Sequence, residues 1–263
     1  MKLKWLLTAG FELITDNYKI LIDPYISRPP NAVPQLTSKI DDYRDSDAIF
    51  LSHGHFDHSY DVPELVQHSE TKIYCSEPTK NMLIKKFNVN EQNVVKIEAG
   101  QTLEFEPDFK VTIIKSKHIK FNLGLVLKKI FSLKTYRVKK YTGLRLRDII
   151  KYKKGKVFGY LFEFSNGKKV FHLGSGGYYK EELEKLPKDI DIFLAPVAGR
   201  DDSDKALAKI TNIIKPKMVI PHHYDDFFPP ISWDAYGNFA EEVKKINPTV
   251  IVNKIEQETY FEF

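Results

Sequence analysis

The sequence predicts an α/β protein of four layers, an αββα sandwich in which two sheets pack face to face and helices cover both. Two observations carry this: strand-like apolar runs recur in both halves of the chain, and helical patterns accompany them in both. No shorter repeat or low-complexity linker divides the halves, so residues 1–263 are expected to form a single domain. A chain of 263 residues that is 42% hydrophobic and 13% aromatic has material for such a core. No run approaches the roughly 18 to 20 apolar residues that span a bilayer. The first ten residues are too short in their apolar part for a secretory signal and read as a strand. Cys75 is the single cysteine, which excludes an internal disulfide, suits a reducing cytoplasm and fits a buried strand position.

In order, strands are expected at 2–8, 11–15 and 18–22, with Asp16-Asn17 at the turn between the last two and Asp23-Pro24 ending the hairpin. A proline-rich loop at 27–34 leads to an apolar strand at 47–51, then a short helix at 61–67 and a strand at 72–75. Ser76, Glu77 and Pro78 open a helix at about 78–86, where a capping hydroxyl, negative charge and a missing amide are all accommodated. Strands follow at about 94–98, 101–105, 109–115, 157–164 and 169–173, the last two joined by the hairpin dipeptide Asn166-Gly167. Helices at about 180–185, 203–214 and 233–246 then alternate with strands at 190–195 and 218–220, and strands near 249–252 and 258–262 complete the chain.

The net charge of +5 hides an asymmetry. Residues 115–156 hold 15 Lys or Arg against one acid, Asp148, a local charge of +14 that leaves the remainder at −9. The insertion at about 119–156 reads as a lid or arm, with Leu123–Leu133 mixing apolar residues and lysines as an amphipathic helix would. Such a segment is suited to an anionic small molecule or a lipid surface, including peripheral membrane contact, with nucleic acid ranked behind these.

The chemistry is concentrated in Ser52-His53-Gly54-His55-Phe56-Asp57-His58, directly after the strand at 47–51. Imidazole nitrogen and carboxylate oxygen suit borderline divalent cations, and a loop at a strand end can turn alternate side chains toward one point. His53 and His55 can close on one ion while Asp57 and His58 point past it toward a second. Further ligands should lie at other strand ends, where His118, Ser175, His222 and His223 stand. His172, inside an apolar strand, reads as a hydrogen-bonded core residue, and His68 as exposed. Asp201, Asp202 and Asp204 read as caps of the helix at about 203–214.

With the later histidines, this motif resembles the metallo-β-lactamase superfamily over essentially the whole chain. Leu21-Ile22-Asp23-Pro24 and Ile220-Pro221-His222-His223-Tyr224 are most similar to the branch containing ascorbate-6-phosphate lactonase and N-acyl-phosphatidylethanolamine phospholipase D. The resemblance implies that His53, His55 and His118 form a first metal site and Asp57, His58 and His223 a second. His223 is preferred to His222 because it directly precedes the aromatic Tyr224. Asp23 matches an acid that orients a ligand histidine and raises its basicity. His222 is left as a group behind the ligands or a substrate contact. The chain departs from the pattern at Gly174-Ser175, where the family usually has Gly-Asp and a carboxylate bridging two metals.

The function this implies is a metal-dependent hydrolase using a metal-bound hydroxide on an anionic ester: a phosphodiester, a phospholipid or a phosphosugar lactone. Asp57 would orient the attacking water. Zinc is the first choice of ion, with manganese and iron as alternatives, and one or two ions bound. Against this stand an RNA-directed nuclease and a weakly catalytic or non-catalytic metal-binding protein whose second site is degraded at Ser175.

Overall fold

The computed structural model describes residues 1–119, 149–197, 202–229, 232 and 234–263. Asp201, and the segment Leu123–Leu133 read above as an amphipathic helix, lie outside the described residues, as does most of the basic insertion.

Two seven-stranded sheets form the centre. The first contains β1 (Lys2–Trp5), β2 (Phe11–Ile14), β3 (Lys19–Ile22), β4 (Ala48–Phe50), β5 (Lys72–Cys75), β6 (Val94–Lys96) and the last strand, β14 (Tyr260–Glu262). The second contains β7 (Thr102–Phe105), β8 (Phe109–Ser116), β9 (Val157–Phe164), β10 (Lys169–Leu173), β11 (Ile192–Pro196), β12 (Met218–His222) and β13 (Ile251–Val252). Their orders are β14-β1-β2-β3-β4-β5-β6 and β13-β12-β11-β10-β9-β8-β7. Both follow one plan: four strands joined antiparallel, then three added in parallel. The parallel strands β4 and β11 are buried throughout, as expected where both faces are covered.

The sheets meet in a core that joins Phe11, Phe50 and Trp5 of the first to Phe162, Phe171 and Phe193 of the second. A hydrogen-bonded seam reinforces the contact: Tyr160 Oη donates to Leu51 O (2.6 Å) and Phe158 N–H to Ser52 O (2.9 Å). The outer face of the first sheet packs under α1 (Phe56–Ser59), α2 (Val62–Leu65) and α3 (Glu77–Phe87) through Ile49, Ile73, Leu65 and Leu83. Outside the second sheet lie α4 (Lys180–Glu184), α5 (Ser203–Ile214) and α6 (Phe239–Ile246). Leu207, Ile210 and Ile214 give α5 a buried stripe at helical spacing.

Several expected boundaries shift for physical reasons. The first strand stops at Trp5, because Leu7 and Thr8 turn the chain at positive φ into the hairpin with β2. The helix expected at 61–67 is a single turn, Val62–Leu65, and α1 precedes it, so Asp57 and His58 sit on a helical turn rather than an open loop. Ser76 stands at the N-cap of α3 but makes no capping bond; its hydroxyl meets Thr79 Oγ1 at 3.0 Å. The last helix begins at Phe239 rather than at 233. Asp202 occupies the N-cap of α5 without a side-chain cap bond, while Asp204 accepts the amide of Lys205. β12 runs on through His222, so that residue lies inside the strand and not beyond it. Cys75 is fully buried in β5 and His68 is exposed, as expected.

Candidate metal centre

Five strand ends deliver the site. β3 leads to Asp23, β4 opens into residues 52–58, β8 leads to His118, β10 to Gly174 and Ser175, and β12 to His223. All these strands run in one sense, so their carboxyl ends gather at one rim of the sandwich, where open α/β sheets assemble sites.

Two groups of donors converge there. One ligand atom from each of His53, His55 and His118 lies within 4.8 Å of the others, and the same holds for Asp57, His58 and His223. The hydrogen bonds fix which ring nitrogens face inward. Asp23 Oδ1 accepts the amide of Ser52 (2.7 Å), and Asp23 Oδ2 accepts both the Ser52 hydroxyl (2.5 Å) and His58 Nδ1–H (2.8 Å). The Ser52 hydroxyl, having donated, accepts from His53 Nδ1–H at 3.0 Å. His118 Nδ1–H donates to Ile119 O at 2.8 Å. Each of these three rings is therefore left with an Nε2 lone pair. His53 Nε2 faces His55 Nδ1 across 3.1 Å.

At this distance one ring can donate an N–H to the other, or both can turn lone pairs toward one cation. The separation matches the edge of a tetrahedron with metal–nitrogen bonds of about 2.0 Å, which is about 3.3 Å. In the second group Asp57 Oδ2 stands 3.3 Å from His223 Nε2 and 3.6 Å from His58 Nε2, a comparable spacing. The donor set, five imidazoles and one carboxylate, fits a borderline divalent ion.

Electrostatics prepare the same outcome. Burial, followed by the neighbouring histidines, holds His53 well below the usual imidazole range. Burial also lowers His55 and takes His118 down to about 4, so all three rings are neutral at pH 7, the form that binds metal. Burial would raise the Asp57 carboxyl, but His58, His223 and His55 outweigh it and keep Asp57 ionised. Burial opposes protonation of His58 as well; the Asp23 and Asp57 carboxylates prevail and raise its pKa.

Ser175 and His222 make contacts of their own. Ser175 Oγ accepts the amide of Ile119 at 3.0 Å, so its hydroxyl buttresses the chain just after His118. His222 is fully buried between the sheets, its ring parallel to that of His172 at 5.2 Å with Phe11 edge-on. His172 is fully buried, with Nε2 bonded to Ala9 O at 3.3 Å. Gly174 is required by packing: a Cβ there would lie 2.0 Å from Ser52 Oγ and 2.9 Å from Asp23 Oδ2.

Ser52, Thr8, Arg28 and Asp225, which carry no motif of their own in the sequence, also build the site. Ser52 passes the Asp23 hydrogen bond on to His53. Asp225 accepts the Thr8 amide (2.8 Å) and hydroxyl (3.3 Å), and Thr8 O accepts the amide of His223 at 2.7 Å. The position of Asp225, two residues after His223, is the one signal that the sequence offered.

Two mixed sheets between helices, with histidine and aspartate clusters at their carboxyl rim, define a metallo-β-lactamase-like sandwich. The beta-lactamase superfamily domain matches residues 18–224, and the chain belongs to that superfamily and, within it, to the UPF0173 metal-dependent hydrolases. A UPF0173 metal-dependent hydrolase of Pyrococcus abyssi (strain GE5 / Orsay) is 30% identical over 249 residues, covering 94% of this chain and 92% of that protein. Another, from Methanobrevibacter smithii, is 29% identical over 273 residues, covering 100% and 97%. Among solved structures, Igni18, a metallo hydrolase from Ignicoccus hospitalis, superposes with a TM-score of 0.70 at 22% identity, covering 100% of this chain and 98% of that one; this likeness concerns the fold.

Proposed function

We propose that this hydrolase cleaves an anionic ester, of the phosphodiester, phospholipid or phosphosugar lactone kind, with His53, His55 and His118 holding one divalent ion and Asp57, His58 and His223 a second. The observation that carries the reading is the convergence of two adjoining donor groups, with ring nitrogens of His53 and His55 facing each other at 3.1 Å. Zinc is the first choice of ion on donor chemistry, with manganese and iron next. A divalent ion bound here supplies a water acidic enough to attack at neutral pH and polarises the ester oxygen. Asp57, held ionised beside the histidines, accepts a hydrogen bond from the attacking water and orients it. Asp23 keeps His58 in one tautomer and, through Ser52, does the same for His53.

The substrate class rests on the +14 charge of residues 115–156, which begins at the mouth of the His118 strand, and on the likeness to the lactonase and phospholipase branch in Leu21-Ile22-Asp23-Pro24 and in His223-Tyr224. The test is turnover of bis(4-nitrophenyl) phosphate, a diacyl phospholipid and a sugar-phosphate lactone by protein loaded separately with zinc, manganese and iron, with metal content measured in parallel. Turnover that disappears in His55→Ala in every metal form supports hydrolysis. Two bound metals with no turnover of any of the three would leave a metal-binding protein without this activity.

A further inference from the structure

The chain that returns from the basic insertion is clasped against the metal motif. Gly54, between His53 and His55, donates its amide to Lys154 O at 2.8 Å. A Cβ at Gly54 would meet Lys153 O at 2.4 Å, so this approach depends on the glycine. On the other side, Gly155 adopts φ +67, and a Cβ there would come within 3.0 Å of both Ser76 Oγ and Thr79 Oγ1 at the start of α3. Just before the clasp the buried Tyr152 stacks on Phe87 with ring centroids 4.6 Å apart, and the Lys153 amide donates to Met82 Sδ at 3.2 Å. The backbone on both sides of Lys154 is thus seated on the motif and on α3.

The Lys154 side chain is exposed, and among the described residues its ammonium makes no hydrogen bond or ion pair. Its neighbours differ: Lys156 pairs with Glu98, and Lys86 donates to Lys151 O. The centre itself is short of negative charge. Asp57 is the one carboxylate in the two donor groups, and the neutral Ser175 hydroxyl is committed to the Ile119 amide. An unpaired cation held beside such a centre is an unfilled half of an ion pair, and an ammonium meets a phosphate or carboxylate as a compact point charge.

We propose that Lys154 determines the substrate specificity of this site by binding an oxyanion of the substrate, a phosphate or carboxylate oxygen next to the scissile bond, with the Gly54 clasp holding the lysine at the rim of the His53–His55–His118 group. The inference rests on the hydrolase reading above and adds the residue that reads the anion.

The test is calorimetric binding of inorganic phosphate, and separately of acetate, to zinc-loaded protein at fixed ionic strength, which requires no turnover. Lys154→Met weakens phosphate binding about tenfold, the scale of a charge-assisted hydrogen bond, at unchanged metal content and unchanged circular dichroism. Lys154→Arg keeps most of the affinity. Lys110→Met, the same charge change at the far end of β8, has no effect. A larger loss for phosphate than for acetate selects the phosphate source, and the reverse selects a carboxylate. Equal phosphate affinity in wild type and Lys154→Met, loss of metal from Lys154→Met, or a zinc-loaded wild type that binds neither anion overturns the proposal. Failure of the hydrolase reading is separate: it is absence of turnover in a protein that still binds phosphate through Lys154.

Discussion

The Arg28 guanidinium donates to Asp225 Oδ2 across 2.6 Å, and both side chains are withdrawn from solvent. Asp225 also grips Thr8, whose carbonyl takes the amide of His223. Three loops, after β1, β3 and β12, are tied at one point, and the residue they hold is His223 at φ +59. Removing one partner of a buried pair strands the other charge. Arg28→Met is therefore expected to cost about 3 to 5 kcal/mol, read from urea denaturation of the metal-free protein. An unchanged midpoint and slope would show that the pair does not hold the fold.

Asp23 is fully buried and reaches the ligand histidines only through their outer nitrogens. Asp23→Asn keeps the volume but offers an amide where His58 needs an acceptor. A roughly 10- to 100-fold loss of zinc affinity is expected, measured by competition with a chromogenic chelator. Zinc affinity equal to wild type would remove Asp23 from the role of orienting these rings.

Ser175→Asp tests the missing bridge. The carboxylate adds an anion beside the centre, while the Ile119 amide that Ser175 now accepts can bond to one of its oxygens. Zinc per chain measured by plasma mass spectrometry is expected to rise toward two in the variant. A stoichiometry that does not move means that residue 175 is not what limits the second ion.

Acid sensitivity has a marker outside the ligand set. Burial pushes the pKa of His172 down to about 4, so the folded ring stays neutral while an unfolded histidine protonates near 6.5. The unfolded chain then binds the extra proton, and stability falls as pH drops from about 6.5 to about 4, by roughly 3 kcal/mol for this residue. His58 has the opposite sign: its pKa is raised, so its contribution is complete below about pH 6.5 and is lost as pH rises through the folded value. Denaturation of metal-free wild type and His172→Gln across pH 4 to 7 separates the two. The variant should show a shallower loss on acidification, and parallel curves would exclude His172 as a source.

Much of the site is legible locally because metal ligation constrains spacing. His53, His55, Asp57 and His58 lie within six residues, and the apolar run before them ends where a strand must give way to a turn. His222 and His223 show the limit of local reading. They are neighbours of the same type, yet the extended backbone of β12 sends His222 between the sheets, and the turn to positive φ at the next residue sends His223 to the rim. Ser175 is similar: its departure from the expected acid is visible in the sequence, but its bond to the Ile119 amide depends on how β10 lies beside the end of β8.

The sandwich class, the run of strands and four of the candidate metal donors are readable from the chain alone, because side-chain periodicity and ligand spacing are properties of neighbouring residues. The closure of β14 against β1, the meeting of Asp225 with Arg28 and Thr8, and the seating of Lys154 on Gly54 come from the folded chain. Those contacts join residues up to 260 positions apart, and they are fixed by burial, sheet order and the room left by a missing Cβ, none of which a local pattern carries.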